Sequence, residues 1–141
     1  MAVAPLVSTI IAVVLIPVAF LFLHAFISGL REGRYHPLTG TLAILWDLSM
    51  SIGYMIYRSL GGAIEGTSLE LSSSLRTYFI VHGSIAFLVI LLEAGVLITG
   101  LWQWRRDKKS RWHGRLAKPL FILWWFVFIS GEIFYIVTYL I

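Results

Sequence analysis

The chain has 141 residues, of which 59% are hydrophobic and 13% are charged, and its mean hydropathy is +0.88. A soluble domain carries about 25% charged residues, so the composition excludes a water-soluble enzyme and a nucleic-acid-binding domain. The net charge is +4 and there is no cysteine, which excludes disulfides and covalently attached haem.

Four apolar segments follow one another along the chain. They cover about residues 5–30, 37–60, 77–104 and 116–141, and each has the roughly 20 residues that a helix needs to cross a bilayer. The connections between them are short, which predicts antiparallel neighbours. The sequence therefore predicts one all-α domain, an integral membrane protein folded as an up-down four-helix bundle.

Basic residues concentrate at one end of this predicted bundle. Nine of the 11 Lys and Arg residues lie in or beside two connections, 31–36 and 105–118. Cytoplasmic loops of membrane proteins carry such an excess of positive charge. We expect both connections to be cytoplasmic and both chain termini to lie on the non-cytoplasmic side.

Ionisable residues inside the apolar segments mark a candidate site. A charge at the centre of a membrane helix costs about 2.5–3.5 kcal/mol on insertion scales, so it normally has a partner inside the bundle. His24, His36 and His113 form a layer near the basic connections, and Asp47 and Glu93 lie deeper. Neutral imidazole binds haem iron, copper and zinc. The layer therefore indicates a metal or haem site, or else interhelical hydrogen bonds alone.

Helical phase relates these residues to one another. A separation of 11 residues returns to nearly the same direction on a helix, and it separates His36 from Asp47 and His82 from Glu93. Each of the two middle helices therefore carries a polar stripe. We expect the two stripes to face each other.

A second polar layer is predicted toward the opposite surface, where Tyr54, Arg58, His82 and Glu132 lie. A structural ion pair between Glu132 and Arg58 is one interpretation, and a proton or quinol contact is the other. His82 is also a candidate axial ligand of a haem, although no second histidine lies at that depth.

Scattered residues of the last three segments carry a resemblance to a known family. They are His36, Tyr54, Arg58, His82, His113, Ala117, Trp124, Gly131 and Tyr135. With them the chain resembles, over about residues 35–139, the domain-of-unknown-function 420 family. Its members are small four-helix, multi-histidine membrane proteins of bacteria and archaea, and they include bacterial cytochrome-oxidase assembly proteins.

The resemblance implies a prokaryotic cell membrane, histidines that handle a metal, and a role beside respiratory haem–copper oxidases. The family is also similar to the two-haem cytochrome b superfamily. Two departures stand out. Arg58 replaces a histidine of the family, and a cation cannot bind a metal cation. Asp47, Glu93 and Glu132 lie in helices that are mostly apolar in the family.

Three functions follow from these observations. The first is an accessory or assembly component of a membrane redox enzyme, which binds copper or haem b through His24, His36, His82 and His113. The others are a b-type cytochrome subunit for electron transfer and a cofactor-free structural subunit. The expected partners are the lipid bilayer and other membrane subunits of a redox complex, with no nucleic acid. The short connections leave no catalytic domain outside the membrane, so we do not expect an independent enzyme.

Overall fold

The computed structural model describes residues 4–60 and 72–141, apart from the side chain of residue 58. These residues form four α-helices, α1 (Leu6–Leu30), α2 (His36–Ser59), α3 (Ser73–Arg106) and α4 (Arg111–Tyr139). Each helix contains most of one apolar segment of the sequence. Both α3 and α4 begin several residues before their apolar segments, because polar residues continue the helical hydrogen bonding.

Three helices are long and apolar enough to cross a membrane, namely α1, α3 and α4. The all-α prediction is confirmed, and the membrane prediction is supported by these three helices. The remaining helix, α2, has 24 residues but is less apolar, since it carries Asp47 and several hydroxyl side chains.

The helices pack around a common core. Both α1 and α3 pack against α2 and α4, whereas in the described part of the chain the backbone of α1 does not approach that of α3, and the backbones of α2 and α4 do not approach each other. The core residues are Val18, Ala19, Phe22, Ala43, Ile44, Val89, Val96, Leu120 and Trp124. Every helix therefore presents one buried face to the centre of the bundle.

Large apolar side chains also cover the outside of the helices. Phe20 is 69% exposed, Ile98 67% and Ile122 67%. Soluble monomers rarely expose apolar patches of this extent, whereas lipid tails are as apolar as leucine and solvate such side chains well. The exposed apolar surface therefore agrees with the apolar composition, and both are typical of a membrane protein.

Tight turns end α1 and α3 at the same end of the bundle. Glu32 follows α1 with a φ of 53°, and Asp107 follows α3 with a φ of 50°. The left-handed conformation of these residues stops each helix. It also places the beginnings of α2 and α4 close to the ends of α1 and α3.

Candidate functional site

Two of the predicted histidines come together at this end of the bundle. The ring centroids of His36, on α2, and His113, on α4, lie 5.9 Å apart, and the ring planes meet at 77°. Both imidazoles also line one cavity, which reaches all four helices. The structure thus joins the first residues of α2 and α4 into a single candidate site.

A backbone carbonyl orients each imidazole. The Nδ1 atom of His36 lies 2.7 Å from the carbonyl oxygen of Ala25, and that of His113 lies 3.2 Å from the carbonyl oxygen of Val96. Since a carbonyl oxygen only accepts, Nδ1 is the protonated nitrogen that donates in both rings. Neither Nε2 atom has a hydrogen-bond partner among the described residues. Histidine ligands of metals are held in this way, with one nitrogen anchored and the other left to coordinate.

Glycines on the neighbouring helices make room for both rings. A Cβ atom at Gly29 of α1 would lie 2.8 Å from the Nδ1 atom of His36, and one at Gly100 of α3 would lie 3.1 Å from the Cε1 atom of His113. Each glycine comes four residues after the carbonyl that orients the ring. Sequence reasoning missed these glycines, because a glycine in an apolar helix has many uses.

The helix pairs α1–α2 and α3–α4 each contribute one histidine, one carbonyl and one glycine to the site, and these residues lie at equivalent positions of the two pairs. A shift of 71 residues relates Ala25 to Val96 and Gly29 to Gly100. The same shift relates the buried residues Val18 and Phe22 of α1 to Val89 and Glu93 of α3.

A shift of 77 residues relates α2 to α4, from His36 to His113 and from Asp47 to Trp124. This correspondence between the two helix pairs is hard to detect in the sequence, because the equivalent positions lie several residues apart and only some of them have the same residue type.

The cavity beside the histidines has a volume of about 820 Å³. Its walls are mostly apolar and include Phe22, Phe26, Ile44, Val96, Leu120 and Phe121. Four basic side chains and one acidic side chain line it as well, namely Arg34, Lys108, Lys109, Lys118 and Asp107. The site therefore suits a large apolar group that carries negative charge at one edge.

A pair of buried acids lies deeper in the bundle. Asp47 is 4% exposed and Glu93 is 0% exposed, and their carboxyl groups contact each other. The hydroxyl of Ser51 donates to Asp47 over 3.3 Å, and the indole of Trp124 lies beside Asp47. Both oxygens of Glu93 lack a hydrogen-bond partner in the described part of the chain. The expectation that the polar stripes of α2 and α3 face each other agrees with this contact.

The third predicted histidine of this layer lies elsewhere. His24 is exposed on the outer face of α1, and its Nδ1 atom lies 3.1 Å from the hydroxyl of Thr39. It borders a separate groove with Pro17, Phe20 and Trp46. Among the described residues there is no cluster of three or more His, Asp and Glu side chains suited to a metal ion.

His82 belongs to a hydrogen-bonded cluster at the other end of the bundle. Its Nδ1 atom lies 3.0 Å from the hydroxyl of Ser130, and its ring stacks on that of Tyr78. The hydroxyl of Tyr78 donates to the Ser130 carbonyl over 2.9 Å. These contacts connect α3 to α4 and satisfy the polar atoms locally.

The other residues of this layer are Tyr54 on α2 and Glu132 on α4, and both are half-buried. The expected ion pair between Glu132 and Arg58 involves a side chain outside the described residues, so it stays a prediction.

No family model matches the chain, and no curated protein or solved structure is detectably similar to it. The function is therefore argued from the geometry of the site.

Proposed function

We propose that the protein binds one b-type haem between His36 and His113 and acts as a small electron-carrying or accessory subunit of a membrane redox enzyme. The observation that carries the proposal is the pair of imidazoles on one cavity wall, each anchored through Nδ1 with Nε2 left for coordination.

The spacing of the rings suits a shared metal centre. Histidine nitrogens bind metal ions at about 2 Å, so two imidazoles on one ion have centroids roughly 6 Å apart, and here the distance is 5.9 Å. A bare zinc or copper site usually has three or four protein ligands, and the described residues offer two. A haem iron would take its remaining ligands from the porphyrin, so His36 and His113 would be a complete set of protein ligands.

The cavity suits the remainder of the group. Its volume of about 820 Å³ falls within the roughly 300–1,000 Å³ of cofactor and ligand sites. The aromatic walls include Phe26 and Phe121, which stack on each other, and they would shield a flat ring system from water. Arg34, Lys108 and Lys118 would pair with its propionate carboxylates. A bound haem supplies one-electron transfer, and the protein sets its orientation and the polarity around it.

We further propose that α2 also crosses the membrane, so that all four helices span a prokaryotic cell membrane as an up-down bundle. The basic connections 31–36 and 105–118 then face the cytoplasm, and both termini lie outside. The cavity lies beside these basic connections, so the haem would lie near the cytoplasmic surface. A single haem transfers electrons only between partners, which implies other membrane subunits of a redox complex.

Optical spectroscopy tests the haem site. The full chain is purified in detergent and titrated with haemin, which replaces any haem lost during purification. Absorption spectra of the oxidised and dithionite-reduced forms are then compared. We expect a Soret band that shifts on reduction, sharp reduced bands, and one iron per chain by elemental analysis.

Variants locate the site within the chain. His36→Ala and His113→Ala should each abolish the low-spin spectrum, whereas His24→Ala, on the outer face of α1, should leave it unchanged. Stoichiometric copper without a Soret band would favour the copper-handling accessory function instead. If the protein binds neither haemin nor copper, the remaining function is that of a cofactor-free structural subunit.

A further inference from the structure

The buried acids Asp47 and Glu93 are not used by the proposed cofactor site, yet burying two acids next to each other costs free energy. Two ionised carboxylates in contact repel each other strongly in a medium of low dielectric constant. Ser51 on α2 and Trp124 on α4 lie beside Asp47, Trp124 stacks on Phe22 of α1, and none of these side chains carries a charge. No cationic group acts on either acid among the described residues.

We propose that Asp47 and Glu93 form a proton-binding site, in which Glu93 holds one exchangeable proton and donates it to the Asp47 carboxylate. Paired carboxyl groups that share a proton in this way occur where like charges cannot both ionise. The pair then carries a single negative charge instead of two.

The hydrogen bonds assign the proton to Glu93. Asp47 accepts a hydrogen bond from Ser51, and the indole of Trp124 lies beside it; donors stabilise the ionised form of a carboxyl group. Neither oxygen of Glu93 has a donor in the described residues, and the side chain is fully buried. A protonated Glu93 needs no donor on its hydroxyl oxygen, and its O–H gives the Asp47 carboxylate a further hydrogen bond.

The cavity reaches to within one helical turn of the pair. Ala43 and Ile44 line the cavity on α2, and Val96 lines it on α3. These residues lie three or four positions from Asp47 and Glu93, which is one helical turn. The proton site is therefore adjacent to the inner end of the cavity, and it exists whether or not a cofactor is bound there.

Infrared spectroscopy tests the proposal on the full chain in lipid membranes at neutral pH. The measurement is made on the Glu132→Gln variant, which serves as the background protein, because Glu132 is the other acid inside an apolar helix. We expect one protonated-carboxyl C=O band that shifts when H₂O is replaced by D₂O. Absence of the band would overturn the proposal, and so would its loss on addition of Na⁺, which would identify a metal-cation site.

Two nearly isosteric variants assign the band. Glu93→Gln should remove it, because the remaining Asp47 keeps its donors and stays ionised. Asp47→Asn should retain it, because Glu93 stays buried without a cation. The reverse pattern would place the proton on Asp47 and overturn the assignment. Helical content and elution volume show that each variant is folded, and the test on the background protein stands even if one variant does not fold.

Discussion

At the scale of single residues, the site depends on where side chains are missing as much as on where they are present. His36 and His113 reach a backbone carbonyl on the neighbouring helix because Gly29 and Gly100 leave their rings space. The contacts with Ala25 and Val96 then decide which nitrogen is free. A methyl group at either glycine changes the orientation of an imidazole.

Gly29→Ala and Gly100→Ala should weaken haemin binding. The new Cβ atom would lie 2.8 Å from the His36 ring or 3.1 Å from the His113 ring, so each imidazole must turn away from its carbonyl. Loss of such an orienting contact weakens metal binding by about 10- to 100-fold. Gly53→Ala and Gly83→Ala are the matched controls, because a Cβ atom there meets nothing within 4 Å. Equal haemin affinities for all four variants would contradict this account.

Two adjacent tryptophans offer a matched pair for the hydrogen bond to Asp47. Trp124→Phe removes the indole N–H beside Asp47, and we expect a loss of about 1 kcal/mol of unfolding free energy, the size of an interhelical hydrogen bond in membranes. Trp125→Phe removes an indole N–H that has no hydrogen-bond partner in the described residues and should be nearly neutral. Reversible unfolding in mixed detergent measures both, and equal losses would attribute the effect to volume alone.

At the scale of helices, the two pairs α1–α2 and α3–α4 are joined by an ion pair between their connections. Lys109 forms a salt bridge with Glu32. The hydrogen bond from Lys109, together with its charge, holds the pKa of the Glu32 carboxyl below its ordinary value. Both side chains are exposed, so solvent and salt screen the interaction.

The Glu32 carboxyl gives a pH-dependent signature of this contact. A lowered pKa in the folded protein means that the ion pair stabilises the fold above the ordinary pKa of glutamate, and that this contribution is lost as the pH falls through the folded value. Lys109→Gln should raise the pKa of Glu32 toward its ordinary value, as measured by an NMR titration of its side chain. Lys108→Gln is the control. High salt should reduce the difference, whereas an unchanged pKa in Lys109→Gln would exclude the contact in solution.

The helices were predictable from the sequence because uninterrupted apolar segments have few alternatives in a membrane. The 11-residue spacings also predicted which faces of α2 and α3 carry the acids. The position of His24 was not predictable, because depth along a helix says nothing of its rotation. In α1 almost every residue is apolar, so hydrophobicity marks no inner face. Its rotation is set by packing of Val18, Phe22 and Ala25, which turns His24 outward.

At the scale of the whole molecule, charge is distributed by depth. Basic side chains line the cavity beside the connections, the histidines lie at the cavity wall, and the acid pair lies one turn beyond it. A negative charge on the pair would offset the positive charge of an oxidised haem iron, with the two separated by apolar side chains.

Orientation in the membrane is testable without background labelling, because the chain has no cysteine. In intact cells, Lys108→Cys should resist a membrane-impermeant maleimide, since the concentration of nine of the 11 basic residues in or beside the two connections predicts that its connection is cytoplasmic. Ser74→Cys, near the beginning of α3, and Ile141→Cys, at the end of the chain, should react. Permeabilised cells provide the control, because all three variants should then be labelled. Labelling of Lys108→Cys but not the other two in intact cells would invert the topology, and labelling of Ile141→Cys alone would show that α3 does not span the membrane.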